Sequence, residues 1–91
     1  MTGFRGRYRN KRDANEPLIV AALEAHGFVV VRLDTPVDLV VSRKGETWLC
    51  EVKNGNAELK EHQAEFLDRW QGKTAVLRSV EDVQELARVA K

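Results

Sequence analysis

The feature that most constrains the fold is a two-residue turn signal, Lys44-Gly45, between two valine-rich segments. Glycine readily adopts the positive φ that a tight two-residue turn requires, so this pair predicts a β-hairpin. The flanking segments, residues 38–41 and 47–52, have the length and composition of strands. The chain should therefore fold around an antiparallel pair of strands near its middle.

Other segments carry the patterns of further helices and strands. Pro17 marks the first turn of a helix that Asn15 or Glu16 caps and Gly27 ends. The remaining predictions are strands over residues 28–33 and 74–77, a helix from about Ala57 to Gln71, and a last helix that Ser79 and Asp82 begin with a capping box. The order α-β-β-β-α-β-α predicts an α/β fold, a mixed sheet of about four strands flanked by helices. The 91 residues suffice for one such domain, over residues 13–91.

Two polar residues interrupt apolar faces of the predicted helices. Glu16 stands at the start of the apolar face of the first helix, and Gln63 stands within the stripe of the second. That stripe consists of Leu59, Gln63, Phe66 and Trp70. Because buried polar groups need partners, both residues are candidates for a functional site. As alternatives, Glu16 is an acid favoured by the helix dipole and Gln63 an ordinary, satisfied helix residue.

Two carboxylates and a lysine are the strongest candidates for chemistry. Asp38 and Glu51 each lie six residues from the nearer turn residue, so an antiparallel hairpin places them opposite each other. Lys53 follows Glu51 by two positions and shares its face of the strand. Two carboxylates this close repel unless a cation lies between them, and Mg²⁺ commonly binds one or two carboxylates together with water and substrate phosphate. The pattern indicates metal-dependent phosphate chemistry.

Simpler interpretations exist for the same residues. A Glu-x-Lys sequence at a strand end is more often a solvated ion pair that contributes little. Cys50, the one cysteine in the chain, is interpreted as a small buried hydrophobic residue and not as a nucleophile.

The basic charge of the chain is concentrated in its first twelve residues. This segment carries +5 while the remainder carries −4. Its basic residues are Arg5, Arg7, Arg9, Lys11 and Arg12. Arginine interleaved with Phe4 and Tyr8 suits phosphate contact and base stacking, so residues 1–12 are predicted to form a flexible DNA-binding arm. The alternative is a terminal segment without a binding role.

Taken together, these motifs resemble the PD-(D/E)xK nuclease superfamily. The resemblance rests on Pro36-Val37-Asp38 and Glu51-Val52-Lys53, with Glu16 in the preceding helix and Gln63 in the following one. More narrowly, the chain is similar to the small stand-alone VRR-NUC domains of phage and bacteria, over about residues 13–89. It departs from the usual motif where a valine separates Pro36 from Asp38.

The resemblance implies specific roles and partners. Asp38, Glu51 and the backbone carbonyl of Val52 would bind Mg²⁺ or Mn²⁺, and Lys53 would be the catalytic lysine. Glu16 and Gln63 would be auxiliary active-site residues. The fold would have a restriction-endonuclease-like core, and the protein would be a homodimeric endonuclease acting on structured DNA such as four-way (Holliday) junctions.

Other function classes are disfavoured or left open by the sequence. No apolar run approaches the ~20 residues needed to cross a bilayer, and the basic start lacks the apolar core of a signal peptide. We therefore expect no membrane partner and a cytoplasmic protein of a bacterium or a phage-infected cell. Two alternatives to the structure-selective nuclease stay open, a non-catalytic DNA-binding module and a sequence-specific restriction-type endonuclease.

Overall fold

Three helices and four strands make up the part of the chain that the computed structural model describes, residues 13–90. In chain order they are α1 (Glu16–Ala25), β1 (Val29–Arg32), β2 (Leu39–Arg43), β3 (Glu46–Val52), α2 (Glu61–Arg69), β4 (Lys73–Leu77) and α3 (Val80–Val89). The predicted order of elements and the α/β class are confirmed.

The strands form one mixed sheet in the order β1-β2-β3-β4. β1 and β3 both pair antiparallel with β2, and β4 pairs parallel with β3. The hairpin between β2 and β3 turns at Lys44 and Gly45, whose φ angles of 55° and 85° are both positive. Two successive positive φ values are characteristic of the tight hairpin turn whose twist matches that of the strands. The predicted hairpin is confirmed.

The hydrophobic core contains side chains from α1, the sheet and α3. Its fully buried members include Ile19, Leu23, Leu39, Val41, Cys50, Leu77 and Val83. The interpretation of Cys50 as a buried hydrophobic residue is confirmed, and burial, with a smaller contribution from the charge of Glu51, raises the pKa of its thiol to about 12. A thiol held neutral in this way is not a nucleophile.

The predicted helix from Ala57 to Gln71 is wrong at both ends, because α2 spans only Glu61–Arg69. Before the helix, the Arg78 guanidinium donates hydrogen bonds to the carbonyl oxygens of Gly55 (2.9 Å) and Ala57 (2.5 Å). Carbonyls bound by a remote side chain are not available to a helical turn, so the chain forms a tight turn here, closed by a hydrogen bond from the Ala57 N–H to the Asn54 carbonyl (2.9 Å), and the helix begins only later. The expected apolar stripe is also incomplete, since within residues 61–69 no side chain is fully buried.

The ends of the other two helices follow the sequence more closely. α1 has Asn15 at its N-cap position, and Gly27, at φ 89°, follows its C-terminus. At the start of α3, Ser79 Oγ accepts from the Asp82 N–H (3.2 Å), which is half of the predicted capping box. The Asp82 carboxylate instead accepts from the Arg78 N–H (2.7 Å). Of the helices described, none has the length and apolar character that a membrane span requires.

Candidate active site

The hairpin brings Asp38 and Glu51 to facing positions. Leu39 pairs with Cys50 at the end of the β2–β3 ladder, and Asp38 and Glu51 are the next residues outward on each strand. Asp38 Oδ2 accepts a hydrogen bond from the Val52 N–H at 2.8 Å, which directs its carboxylate toward β3. Glu51 is only 1% exposed. The counting of residues about the turn therefore predicted this juxtaposition correctly.

The environment of Glu51 opposes its ionisation. Burial, followed by a hydrogen bond with Asp38 and the charge of Asp38, raises the pKa of Glu51 to about 8, while Lys53 acts in the opposite direction. The shift is that of two carboxyl groups sharing one proton in a desolvated place. A cation bound between the two carboxylates would relieve the same repulsion as a proton does.

Lys53 lies just past the end of β3 and is buried, with 8% of its surface exposed. Its N–H donates to the Leu77 carbonyl (3.1 Å), which extends the parallel β3–β4 pairing by one bond. Its charge acts on Glu51, so the two groups are close enough to function together. A largely buried lysine near a carboxylate pair is the arrangement that the sequence predicted.

Gln63 connects α2 to this site. Its Nε2 donates to Glu51 Oε1 at 3.2 Å, and its Oε1 accepts from the Lys60 N–H at 2.8 Å. The residue thus satisfies the N-terminus of its helix, as the simpler interpretation expected, and also contacts Glu51.

Glu16 is 1% exposed and forms an ion pair with Arg32, with 3.4 Å between Oε2 and Nε. Both residues line a cavity of about 240 Å³ at the start of α1. Asp13 lines the same cavity and is near enough to Glu51 for its charge to raise the Glu51 pKa further. Asp13 therefore connects the cavity that Glu16 lines with the candidate site at Glu51.

Two residues near the site, Asp13 and Asn15, were missed from the sequence. Within the described chain, Asp13 Oδ2 and Asn15 Oδ1 are buried oxygens without a hydrogen-bond partner. The Asn15 amide reaches the Lys53 carbonyl, 38 positions along the chain. Neither position belongs to a sequence motif. The contact of Asn15 arises only when the start of α1 comes to lie beside the end of β3.

The residues present fit a divalent cation that retains much of its water. Among residues 13–90 there is no group of three or more His, Cys, Asp or Glu that could hold a metal ion, so side chains alone would supply only part of the ligands of a bound cation. Asp38, Glu51 and the Val52 carbonyl would supply two carboxylates and one neutral oxygen, a ligand set that suits Mg²⁺ because this ion keeps several waters and binds substrate phosphate. The buried, unpaired Asp13 oxygen adds a nearby acceptor that a metal-bound water would satisfy.

The predicted DNA-binding residues Arg5, Arg7, Arg9, Lys11 and Arg12 lie outside the described residues. No family model, no curated protein and no solved structure matches the chain.

Proposed function

We propose that the protein is a metal-dependent DNA endonuclease that hydrolyses phosphodiester bonds at a site formed by Asp38, Glu51 and Lys53. The observation that carries the proposal is the hairpin register, which sets the two carboxylates at facing positions beyond the Leu39–Cys50 pair. Lys53 is buried next to them. Glu51 and Lys53 are buried beside the half-buried Asp38, and because burying ionisable groups costs free energy, such clusters are found preferentially at functional sites.

Each residue has a definable task in phosphodiester hydrolysis. A bound divalent cation would polarise a phosphoryl oxygen and lower the pKa of a water molecule. The Asp38 and Glu51 carboxylates would hold that cation, and Gln63 would keep the Glu51 carboxylate oriented through its 3.2 Å hydrogen bond. The Lys53 ammonium would orient the attacking water or neutralise charge that develops on the phosphate.

The finer assignment of the substrate is supported by the resemblance to VRR-NUC nucleases and by the charge of residues 1–12. The +5 charge of that segment would attract a phosphate backbone. One site per subunit cuts one strand, so paired incisions in a four-way junction would require a symmetric homodimer.

A cleavage panel tests the proposal. Linear duplex, flap and four-way junction DNA would each be incubated with the wild-type protein and Mg²⁺, Mn²⁺ or EDTA, and the products run on a denaturing gel. We expect nicking that needs a divalent ion, is strongest on branched DNA, and falls by at least about a hundredfold in Asp38→Ala and Lys53→Ala, the scale seen when one stabilising group is removed from an active site.

The matched control is Asp68→Ala, which removes an exposed carboxylate of α2 and should leave cleavage unchanged. Circular dichroism would show that all three variants are folded. Salt-sensitive DNA binding without any product would identify a non-catalytic binding module instead. Cutting confined to one sequence of linear duplex would indicate a restriction-type enzyme.

A further inference from the structure

Asn15 occupies a capping position without using its side chain as a cap. Asparagine is among the preferred N-cap residues because its side-chain oxygen can accept an N–H from the first helical turn. In the described chain Asn15 makes no such bond. Its amide nitrogen instead donates to two remote carbonyl oxygens, those of Lys53 and Arg78, each at 3.0 Å.

These two carbonyls lie at the ends of neighbouring strands. Lys53 follows β3 and Arg78 follows β4, and the last bond between the two segments is the one from the Lys53 N–H to the Leu77 carbonyl. The Asn15 amide spans the gap where the parallel pairing stops. A third bond, from the Asn15 backbone N–H to Asn54 Oδ1 (3.3 Å), holds the residue after Lys53 as well.

Lys53 needs such support because the chain leaves the sheet at this point. Residues 54–58 are exposed, and strand ends with few neighbours open more readily than the centre of a sheet. The ammonium stands at the end of a four-carbon stem, so a small displacement of the backbone would carry it away from the Asp38–Glu51 pair. A displacement of about 1 Å can cost a hundredfold in rate.

We propose that Asn15 is a positioning residue that fixes the backbone of Lys53, so that the N-terminus of α1 and the end of β3 act as one unit at the candidate site. The inference deepens the proposed function and rests on it for its consequence in catalysis. Asn15 acts through Lys53 and has no contact of its own with the reacting phosphate.

The substitution Asn15→Ser separates the effect of the two remote hydrogen bonds from the effect of capping α1. Serine is as good an N-cap as asparagine, but it has one short hydroxyl and cannot donate to both carbonyls. Asn56→Ser makes the same chemical change at an exposed position of the following loop and is the control. The first measurement is amide hydrogen exchange in the metal-free protein, which needs no activity.

We expect the Lys53 amide to exchange about fivefold to tenfold faster in Asn15→Ser than in Asn56→Ser, as the loss of about one net hydrogen bond implies. Amides in the middle of β2 should not change. Equal exchange at Lys53 in the two variants would overturn the inference, whether or not the protein is a nuclease.

The second measurement is steady-state cleavage of the best DNA substrate at a temperature where both variants are folded. Asn15→Ser should lower kcat about tenfold to a hundredfold and leave KM unchanged, because substrate binding does not depend on Lys53 placement. A loss confined to thermal stability, with kcat unchanged, would contradict a positioning role. If the wild-type protein cuts no DNA, the nuclease proposal fails while the exchange measurement still decides whether Asn15 holds Lys53.

Discussion

At the scale of single residues, the raised pKa of Glu51 gives the metal-free protein a distinctive dependence on pH. The pKa of Glu51 is raised to about 8, whereas a glutamate in the unfolded chain titrates near its ordinary pKa of 4.5. Between these two values the folded state binds a proton that the unfolded state has released. The stabilisation is therefore fully present below the unfolded pKa and is lost as pH rises through the folded pKa.

We predict that the free energy of unfolding in EDTA decreases from pH 5 to pH 8, with a slope of up to about 1.4 kcal/mol per pH unit. Urea unfolding at several pH values measures it. The Glu51→Gln variant, which is neutral at every pH, should lose this slope. A wild-type protein whose stability is flat or rising over that range, and identical in slope to Glu51→Gln, would show that Glu51 does not hold the proton.

The residues predicted from the sequence and those missed differ in how their contacts arise. Asp38 and Glu51 were found because a tight turn fixes the register, and register can be counted along the chain. Lys53 followed from the two-residue alternation of a strand. Asn15 and Asp13 were missed because their positions depend on how the residues at the start of α1 come to lie beside the ends of β3 and β4, which local periodicity does not encode.

At the scale of elements, the hairpin turn holds Lys44 in a backbone conformation that is unfavourable for a lysine. Lys44 adopts a φ of 55°, in a region that costs most residues with a Cβ roughly 1 kcal/mol or more. Asparagine tolerates this conformation and is preferred before glycine in such turns.

We predict that Lys44→Asn raises the free energy of unfolding by about 0.5–1 kcal/mol. Conversely, Gly45→Ala should lower the free energy of unfolding by about 1–2 kcal/mol through backbone strain. A steric clash does not contribute, because among residues 13–90 no atom beyond the two chain neighbours lies within 4 Å of the added methyl. Chemical denaturation measures both. If Gly45→Ala were neutral, the turn would not have the positive φ that sets the register of the site.

A second element-scale feature is Arg43, which ties the ends of two helices to β2. Its guanidinium donates to the carbonyls of His26 (3.0 Å), Ala87 (2.8 Å) and Ala90 (3.0 Å). It also lies 4.6 Å from the centre of the Phe28 ring. No sequence pattern predicts this role, since an arginine beside a turn is usually solvated.

We predict that Arg43→Lys destabilises the protein by about 2–4 kcal/mol, because an ammonium cannot reproduce the fork of donors and leaves carbonyls unsatisfied. Arg88→Lys is the matched control. Arg88 is exposed and pairs only with Glu85 among the described contacts, so this change should stay within about 0.5 kcal/mol. Equal thermal midpoints for the two variants would contradict the role assigned to Arg43.

At the scale of the whole molecule, the candidate site lies where the start of β2, the end of β3 and the N-terminus of α1 meet. The core joins α1 and α3 to the sheet, and α2 stands apart from it. No side chain of α2 is fully buried, although α2 carries Gln63, which contacts Glu51. The ends of α2 were predicted poorly for the same reason. A helix with little buried surface has no clear apolar pattern to mark where it begins and ends, so its ends are set by its caps and by the Arg78 hydrogen bonds.

A helix attached in this way should open without the rest of the molecule unfolding. We predict that the amides of residues 65–69 exchange faster than those in the middle of β2 and β3. Gln63→Ala should accelerate exchange in α2 a further fivefold to tenfold, roughly the effect of losing about one net hydrogen bond, because it removes the bonds to Glu51 and to the Lys60 N–H. The rates in β2 and β3 should stay the same.

Gln84→Ala, at an exposed position of α3, is the control and should leave α2 unaffected. Hydrogen exchange followed by mass spectrometry gives all of these rates. If α2 exchanges only together with the sheet, it belongs to the same cooperative unit, and Gln63 then reaches Glu51 from a rigid element instead of a mobile one.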